Sequence, residues 1–156
     1  MSAGRETRGT VVGPITVEDN GRAITIIAFG GAEDNAPSAL TRRAFEQLEA
    51  YFAGRLHAFD LPLAPEGTLF QQRVWAALRD IPYGETRSYA DIAHAIGRPG
   101  AARAVGQANH NNPIAIVIPC HRVVAADGSL GGYGGGLFVK RALLELEGVT
   151  MAAPES

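Results

Sequence analysis

The sequence predicts an α/β (α+β) protein in two lobes: a small N-terminal β-sheet with one helix, then a helical C-terminal lobe with a winged helix-turn-helix. Three observations predict it. Two apolar segments flank Asp19-Asn20-Gly21 near the start, helical spacing dominates after Gly67, and two short helical stretches are joined by Gly97-Arg98-Pro99-Gly100. The expected division is residues 1–66, residues 67–151 and a tail over 152–156.

Val12 to Phe29 reads as a β-hairpin, because Asp-Asn-Gly tolerates the positive φ of a tight turn between Ile15-Thr16-Val17 and Ala23 to Phe29. Gly30 to Pro37 is a loop. From Ser38 or Thr41, the residues Leu40, Ala44, Phe45, Leu48, Tyr51 and Phe52 recur at helical spacing, and Gly54 supplies a stop. Ala58 to Leu63 is expected to return as an edge strand, since Pro62 cannot donate to a ladder. Ala64 to Gly67 is a turn. Thr68 with Gln71 matches a capping box, and Phe70, Val74, Trp75, Leu78 and Ile81 form one apolar stripe. Ser88 with Asp91 opens a short helix through Ile96, and a second helix runs from Ala101 to about Asn109. Ile114 to Ile118 is expected as a buried strand entering Pro119-Cys120-His121-Arg122. A glycine-rich loop, Gly128 to Gly136, leads to a last helix over Leu137 to Glu147.

Of the 156 residues, 46% are hydrophobic, enough for a packed interior. No apolar run approaches the roughly 20 residues of a membrane helix, and the first residues lack the apolar segment of a signal peptide. A cytosolic protein is expected. The single cysteine excludes an internal disulfide. The net charge of −2 argues against nucleic-acid binding by bulk electrostatics. Residues 1–69 carry 6 Arg against 9 acids, whereas residues 70–156 carry 8 Lys/Arg against 7, so any phosphate contact is expected in the second half.

A lone cysteine is commonly a small buried hydrophobe. Cys120, however, stands where an apolar segment meets Pro119 and is followed at once by His121 and Arg122. A thiol is only a few per cent ionised at neutral pH, so a reactive one needs a base, and an acid that orients that base completes a relay. Sequence neighbours on an extended chain point opposite ways. A bent or helical turn at Pro119-Cys120-His121, or a bridging water, is therefore required. The helix from Ala101 is rich in small residues, as in a close-packed core helix or in one slim enough for a narrow groove, and Arg103 is its one long cation. Too few Arg, Asn or Gln are present for extensive readout of base edges. The glycine loop lacks both a P-loop ending and a dinucleotide fingerprint. It is either a surface loop or a place where backbone approaches a flat ligand, with Tyr133 lining the pocket.

Taken together, residues from about Gly67 to Gly148 are very similar to the O6-alkylguanine-DNA alkyltransferases. The resemblance rests on Phe70-Gln71 with Val74-Trp75, Ile81-Pro82-Tyr83-Gly84, Ser88-Tyr89, Arg103-Ala104-Val105-Gly106, Asn112-Pro113, Ile118 to Val124, and Leu143 to Gly148. It implies that residues 67–151 form a DNA-binding and alkyl-acceptor domain that transfers the alkyl group of O6-alkylguanine irreversibly to Cys120, without a cofactor. By the same resemblance, His121 is the base acting through a water and Glu147 the acid that orients it. Asn112 braces the helix-turn-helix. Tyr89 presses on a phosphate and donates a proton to guanine N3. Arg103 fills the gap left by the flipped base, which costs a few kcal/mol to extrude. Ala102, Gly106, Arg122 and Ser88 are expected at the DNA, and Val123, Tyr133 and Gly134 around the base. The partner implied is double-stranded DNA approached through the minor groove, by a protein that is a monomer in solution, with cooperativity on DNA left open.

Family members that hold a structural zinc do so with N-terminal cysteines and histidines, and Cys120 is the only cysteine here, so no such zinc is expected. Ala115 and Gly134 stand where some members have proline and serine, which bears on the alkyl groups accepted. Two other readings compete. A winged-helix regulator or lesion sensor without transfer would show a preferred DNA sequence or bound DNA with no chemistry. A cysteine hydrolase using Cys120 and His121 would turn over repeatedly, where the transferase stops at one equivalent.

Overall fold

A computed structural model describes residues 3–31, 34–133 and 135–150. The chain divides into two compact units: residues 1–66 with 113–117, and residues 67–112 with 118–156.

The first unit is a three-stranded antiparallel sheet, β1 (Arg5–Thr10), β2 (Gly13–Asp19) and β3 (Ile24–Phe29) in that order, with one helix, α1 (Ala39–Phe52). The β2–β3 turn closes because Asp19 Oδ1 accepts from the amide of Gly21, and Asn20 Oδ1 accepts from those of Arg22 and Ala23. Gly21 takes a φ of +91°, which a side chain would resist. Ile15, Val17, Ile24 and Ile27 of the sheet are buried, as are Ala44, Phe45, Leu48 and Tyr51 of α1. Ser38 and Thr41 cap α1 reciprocally. Strand β1 carries almost no apolar residue and is held by cross-strand polar pairs instead, Thr7 with Thr16 at 2.8 Å and Arg5 with Glu18 at 3.0 Å.

Two expected strands do not form. Over Ala58 to Leu63 only Leu63 bridges Ile24, in parallel. The backbone of Asp60 is taken up by side chains of α1, its amide donating to Gln47 Oε1 and its carbonyl accepting from Gln47 Nε2. Over Ile114 to Ile118 only Ile114 bridges Ile27. The amide of Val117 bonds the carbonyl of Ala115 at 2.8 Å, folding the chain about Ile116 at a φ of +71°. Such a conformation is strained for a β-branched residue.

The second unit contains α2 (Leu69–Arg79), β4 (Arg87–Ser88), α3 (Tyr89–Ala95), α4 (Ala102–His110), a 3₁₀ turn (Cys120–Arg122), β5 (Val123–Val124) and α5 (Leu137–Leu146). Thr68 with Gln71 and Ser88 with Asp91 form complete capping boxes at α2 and α3. Helices α3 and α4 pack on each other through a tight turn, with Gly97 at a φ of +74°. Trp75 locks α2 to the end of α4 by donating its indole N–H to Ala108 O at 2.8 Å. Gly67 is fixed by the same ring, since a Cβ there would fall 2.5 Å from the Trp75 edge. β4 and β5 pair in parallel over two residues, bringing Val123 beside the start of α3. No helix among the described residues is long and apolar enough to cross a membrane.

Candidate active site

Cys120 opens the 3₁₀ turn. Pro119 precedes it at φ −81° and ψ 64°, and the amide of Cys120 bonds Ile118 O at 2.8 Å across it, so the chain makes a tight three-residue turn just before the thiol. Asn112, just past α4, donates Nδ2 to Ile118 O at 2.8 Å. Asn109, buried on α4, donates Nδ2 to Cys120 O at 3.4 Å. The turn carrying the cysteine is thus tied to the second helix of the helix-turn-helix at two points.

His121 is fully buried, with Nε2 2.7 Å from Glu147 Oε2. Glu147 also receives a fork from Arg122, Nε to Oε1 at 2.7 Å and Nη2 to Oε2 at 3.1 Å. A carboxylate held by a guanidinium is an acceptor, so His121 Nε2 carries the proton and Nδ1 keeps its lone pair. Nδ1 has no protein hydrogen-bond partner among the described residues, which leaves it open to act as a base. Burial lowers the His121 pKa, and the charges of Arg122 and Lys140 lower it further, while Glu147 works against them. Burial pushes the Cys120 thiol up, opposed by the Asn112 side chain, the charge of Lys140, its own backbone amide and the Tyr133 side chain. At rest the pair is therefore a neutral thiol and a neutral imidazole.

The sign of the His121 shift fixes a pH dependence. A general base works in its unprotonated form, and a pKa held below 6.5 keeps that form populated at lower pH. The single-turnover rate with a free-base substrate is expected to hold as pH falls past 6.5 and to drop only below it. A half-maximal point at or above 6.5 would contradict this assignment of the base.

Arg122 corrects an expectation. The resemblance places it among the DNA contacts, but in the structure it is only 7% exposed. Its third bond, Nη1 to Ile81 O at 2.7 Å, completes a wholly internal set of partners. Tyr83 lies against the guanidinium at 5.8 Å and donates its hydroxyl to Leu146 O at 3.2 Å. Gly84, at a φ of +84°, comes so close to Glu147 that a Cβ would sit 3.3 Å from its carbonyl oxygen. The run Ile81-Pro82-Tyr83-Gly84 is in this way the socket for the Arg122–Glu147 pair.

The other residues fall into two groups. Arg103 is exposed on α4 and makes no hydrogen bond or ion pair among the described residues. Ala102 and Gly106 are half-buried on the same helix, which has no side-chain cap at its start. Ser88 spends its hydroxyl on capping α3. Tyr89, half-buried, touches the glycine loop: a Cβ on Gly131 would meet its hydroxyl at 2.7 Å, and a backbone hydrogen bond links it to Gly132. Burial, then the nearby Cys120, raises its pKa, so it stays a proton donor at neutral pH. Val123 is buried and Tyr133 half-buried. Gly134 lies outside the described residues.

The sequence reading assigns no role to Asn109 or to a second residue of this site, Lys140. Lys140, on α5, is completely buried and donates Nζ to Val123 O at 2.6 Å and Gly132 O at 3.3 Å. Its signal was available: Lys140, Leu143, Leu144 and Glu147 share one inward stripe at helical spacing, with a charge at each end.

Fold and site define a class: a helix-turn-helix unit built around one buried thiol, with a histidine–carboxylate pair beside it. Residues 69–149 match the family model described as 6-O-methylguanine DNA methyltransferase, DNA binding domain, and residues 6–65 match its ribonuclease-like domain. The methylated-DNA–protein-cysteine methyltransferase of Mycobacterium bovis is 54% identical over 145 residues, covering 87% of both chains. That of Methanosarcina acetivorans is 64% identical over 107 residues, covering 69% of each. Among solved structures, the Mycobacterium tuberculosis OGT in complex with DNA superposes with a TM-score of 0.86 at 52% identity, covering 92% of this chain and 91% of that one. The chain belongs to the methylated-DNA–protein-cysteine methyltransferase family.

Proposed function

We propose that this protein repairs DNA by direct reversal, moving the alkyl group of O6-alkylguanine onto Cys120 and keeping it there. The single observation that carries the reading is the sole cysteine of the chain, held on a bent turn beside a buried His121–Glu147 pair and bonded to the second helix of a helix-turn-helix. The place of action is the cytoplasm, on double-stranded DNA.

The steps follow from the groups present. Helix α4, slim and fronted by Arg103, enters the minor groove, and the damaged nucleotide is turned out of the stack at a cost of a few kcal/mol. Arg103 occupies the space it leaves. The base enters beside Val123 and Tyr133, where backbone groups of the glycine loop reach its edge. His121 Nδ1 takes the thiol proton through a water, and Glu147 stabilises the imidazolium that results. The thiolate then attacks the alkyl carbon in line. The S–C bond forms as the C–O6 bond breaks, the electron pair passes into the guanine, and Tyr89 supplies a proton at N3. A thioether is a poor leaving group, so nothing regenerates the thiol.

The decisive experiment counts turnovers. With an O6-methylguanine duplex in excess, lesion loss is expected to stop at one equivalent per chain. Continued turnover would indicate a hydrolase-like cycle, and tight binding without lesion loss a sensor.

Affinity for DNA should also depend only modestly on salt. With a net charge of −2, two or three phosphate contacts are expected. They give a slope of roughly −2 to −3 in log K against log salt. A much steeper slope in a fluorescence-anisotropy titration would reveal a phosphate-binding surface that this reading omits.

A further inference from the structure

Asn109 uses only half of its amide. The residue, on α4, is 4% exposed and donates Nδ2 to Cys120 O at 3.4 Å. Its Oδ1 is buried and has no hydrogen-bond partner among the described residues, and the same holds for His121 Nδ1. A buried acceptor left without a donor costs stability, and folded proteins keep few of them. Here two such atoms border one peptide link. Asn109 is bonded to the carbonyl of the Cys120–His121 link, and the imidazole extends from the residue next to that carbonyl. Neither can satisfy the other. An amide oxygen carries no proton, and Nδ1 carries none while Nε2 donates to Glu147.

Two neighbouring acceptors call for one species with two donors, and a water molecule is the smallest. Bonded to both at ordinary lengths, it lets them stand up to about 5.5 Å apart.

We propose that Asn109 is a positioning residue for alkyl transfer: its Oδ1 holds one hydrogen of the water through which His121 Nδ1 takes the Cys120 proton. The inference rests on the reading of Cys120 as alkyl acceptor and adds a residue that the Cys120–His121–Glu147 relay lacks. With one hydrogen on Asn109 and the other on Nδ1, the lone pairs of the water are left to the S–H bond. The thiol proton passes to the water oxygen as the water hands a hydrogen to Nδ1. The hydrogen held by Asn109 stays in place, so the products are a thiolate, an imidazolium and the same water. That water then donates to the sulfur anion and accepts from the new Nδ1–H. A water free to turn would spend much of its time in orientations that carry no proton. Asn112 serves the sulfur itself, because its side chain favours the thiolate, as a hydrogen-bond donor does.

The test pairs structure with kinetics on Asn109→Leu, which keeps the size of asparagine and has neither donor nor acceptor. Free O6-benzylguanine is the substrate, so that DNA binding plays no part. A crystal structure of the unalkylated wild type should show an ordered water within hydrogen-bond reach of both Asn109 Oδ1 and His121 Nδ1. In the Leu variant that water should be lost while the Cys120–Arg122 turn keeps its course. The maximal single-turnover rate of the variant should fall about three- to tenfold, the worth of one hydrogen bond. Its half-saturating substrate concentration should not change. Thermal unfolding should be unchanged or shifted upward, since an unpaired buried acceptor has gone. Asn109→Met, whose flexible side chain fills irregular gaps, gives the same reading if leucine packs poorly. No water between the two atoms, or a variant with the wild-type maximal rate, would overturn the role of Asn109 while leaving Cys120 as acceptor. A slower variant with a displaced turn would overturn it too, because Asn109 would then only brace the backbone. No transfer in wild type would overturn both readings.

Discussion

Glu147→Gln is expected to destabilise the protein by about 3–5 kcal/mol, the typical cost of removing one partner from a buried ion pair. Glu147 and His121 have fully buried side chains, and Arg122 is nearly so. Without the carboxylate, the buried guanidinium keeps only neutral acceptors, Ile81 O and the amide oxygen of the glutamine, and its charge is unmatched. For a chain of this length such a loss corresponds to a fall in melting temperature of roughly 6–20 °C. The chemical effect is separate and as large. Glutamine no longer fixes the His121 tautomer and cannot stabilise the imidazolium, so transfer from free O6-benzylguanine should slow by about 10²–10⁴-fold, measured well below the melting point. A variant with wild-type stability would show that Arg122 is matched elsewhere. A stable fold with a wild-type rate would remove Glu147 from the relay.

Arg103→Ala should separate flipping from chemistry. The side chain is exposed and has no hydrogen bond or ion pair among the described residues, so its removal costs the fold little. On duplex DNA, extrusion of the base costs a few kcal/mol, and loss of the group that takes its place should return about 1.5–3 kcal/mol of that cost to the barrier. Single-turnover repair of an O6-methylguanine duplex is then roughly 10–100-fold slower. Transfer from the free base, which needs no extrusion, should stay within about twofold by the same logic. Equal losses on both substrates would mean that Arg103 acts on the pocket and not on the duplex.

Legibility in the sequence followed the range of the interactions. The helix starts at Thr68 and Ser88 could be read because a cap and its partner lie three residues apart. The Asp19-Asn20-Gly21 turn is equally local. Strand β1 could not be read from Arg5–Thr10, whose pairing depends on Thr16 and Glu18 across the sheet. The runs at 58–63 and 114–118 are apolar because parts of them are buried, with Leu61 and Ile114 to Ile116 inside. Burial alone does not specify a ladder, and side chains or tight turns took the backbone bonds.

The site divides in the same way. The adjacency of Cys120 and His121 demanded a bent backbone, and the 3₁₀ turn supplies it. The resemblance places Arg122 at the DNA, and only Glu147, 25 residues on, and Ile81, 41 residues back, assign it to the interior. Lys140 is marked as internal only by the inward-facing stripe it shares with Leu143, Leu144 and Glu147.

The account stands or falls on where the alkyl group goes. Intact mass of the protein after incubation with an O6-methylguanine duplex, with Cys120→Ser alongside, reads this directly. One added methyl on the wild-type chain, mapped to Cys120 and absent from the variant, is the predicted result. An unchanged mass while the lesion disappears, or a methyl mapped to any other residue, would contradict it.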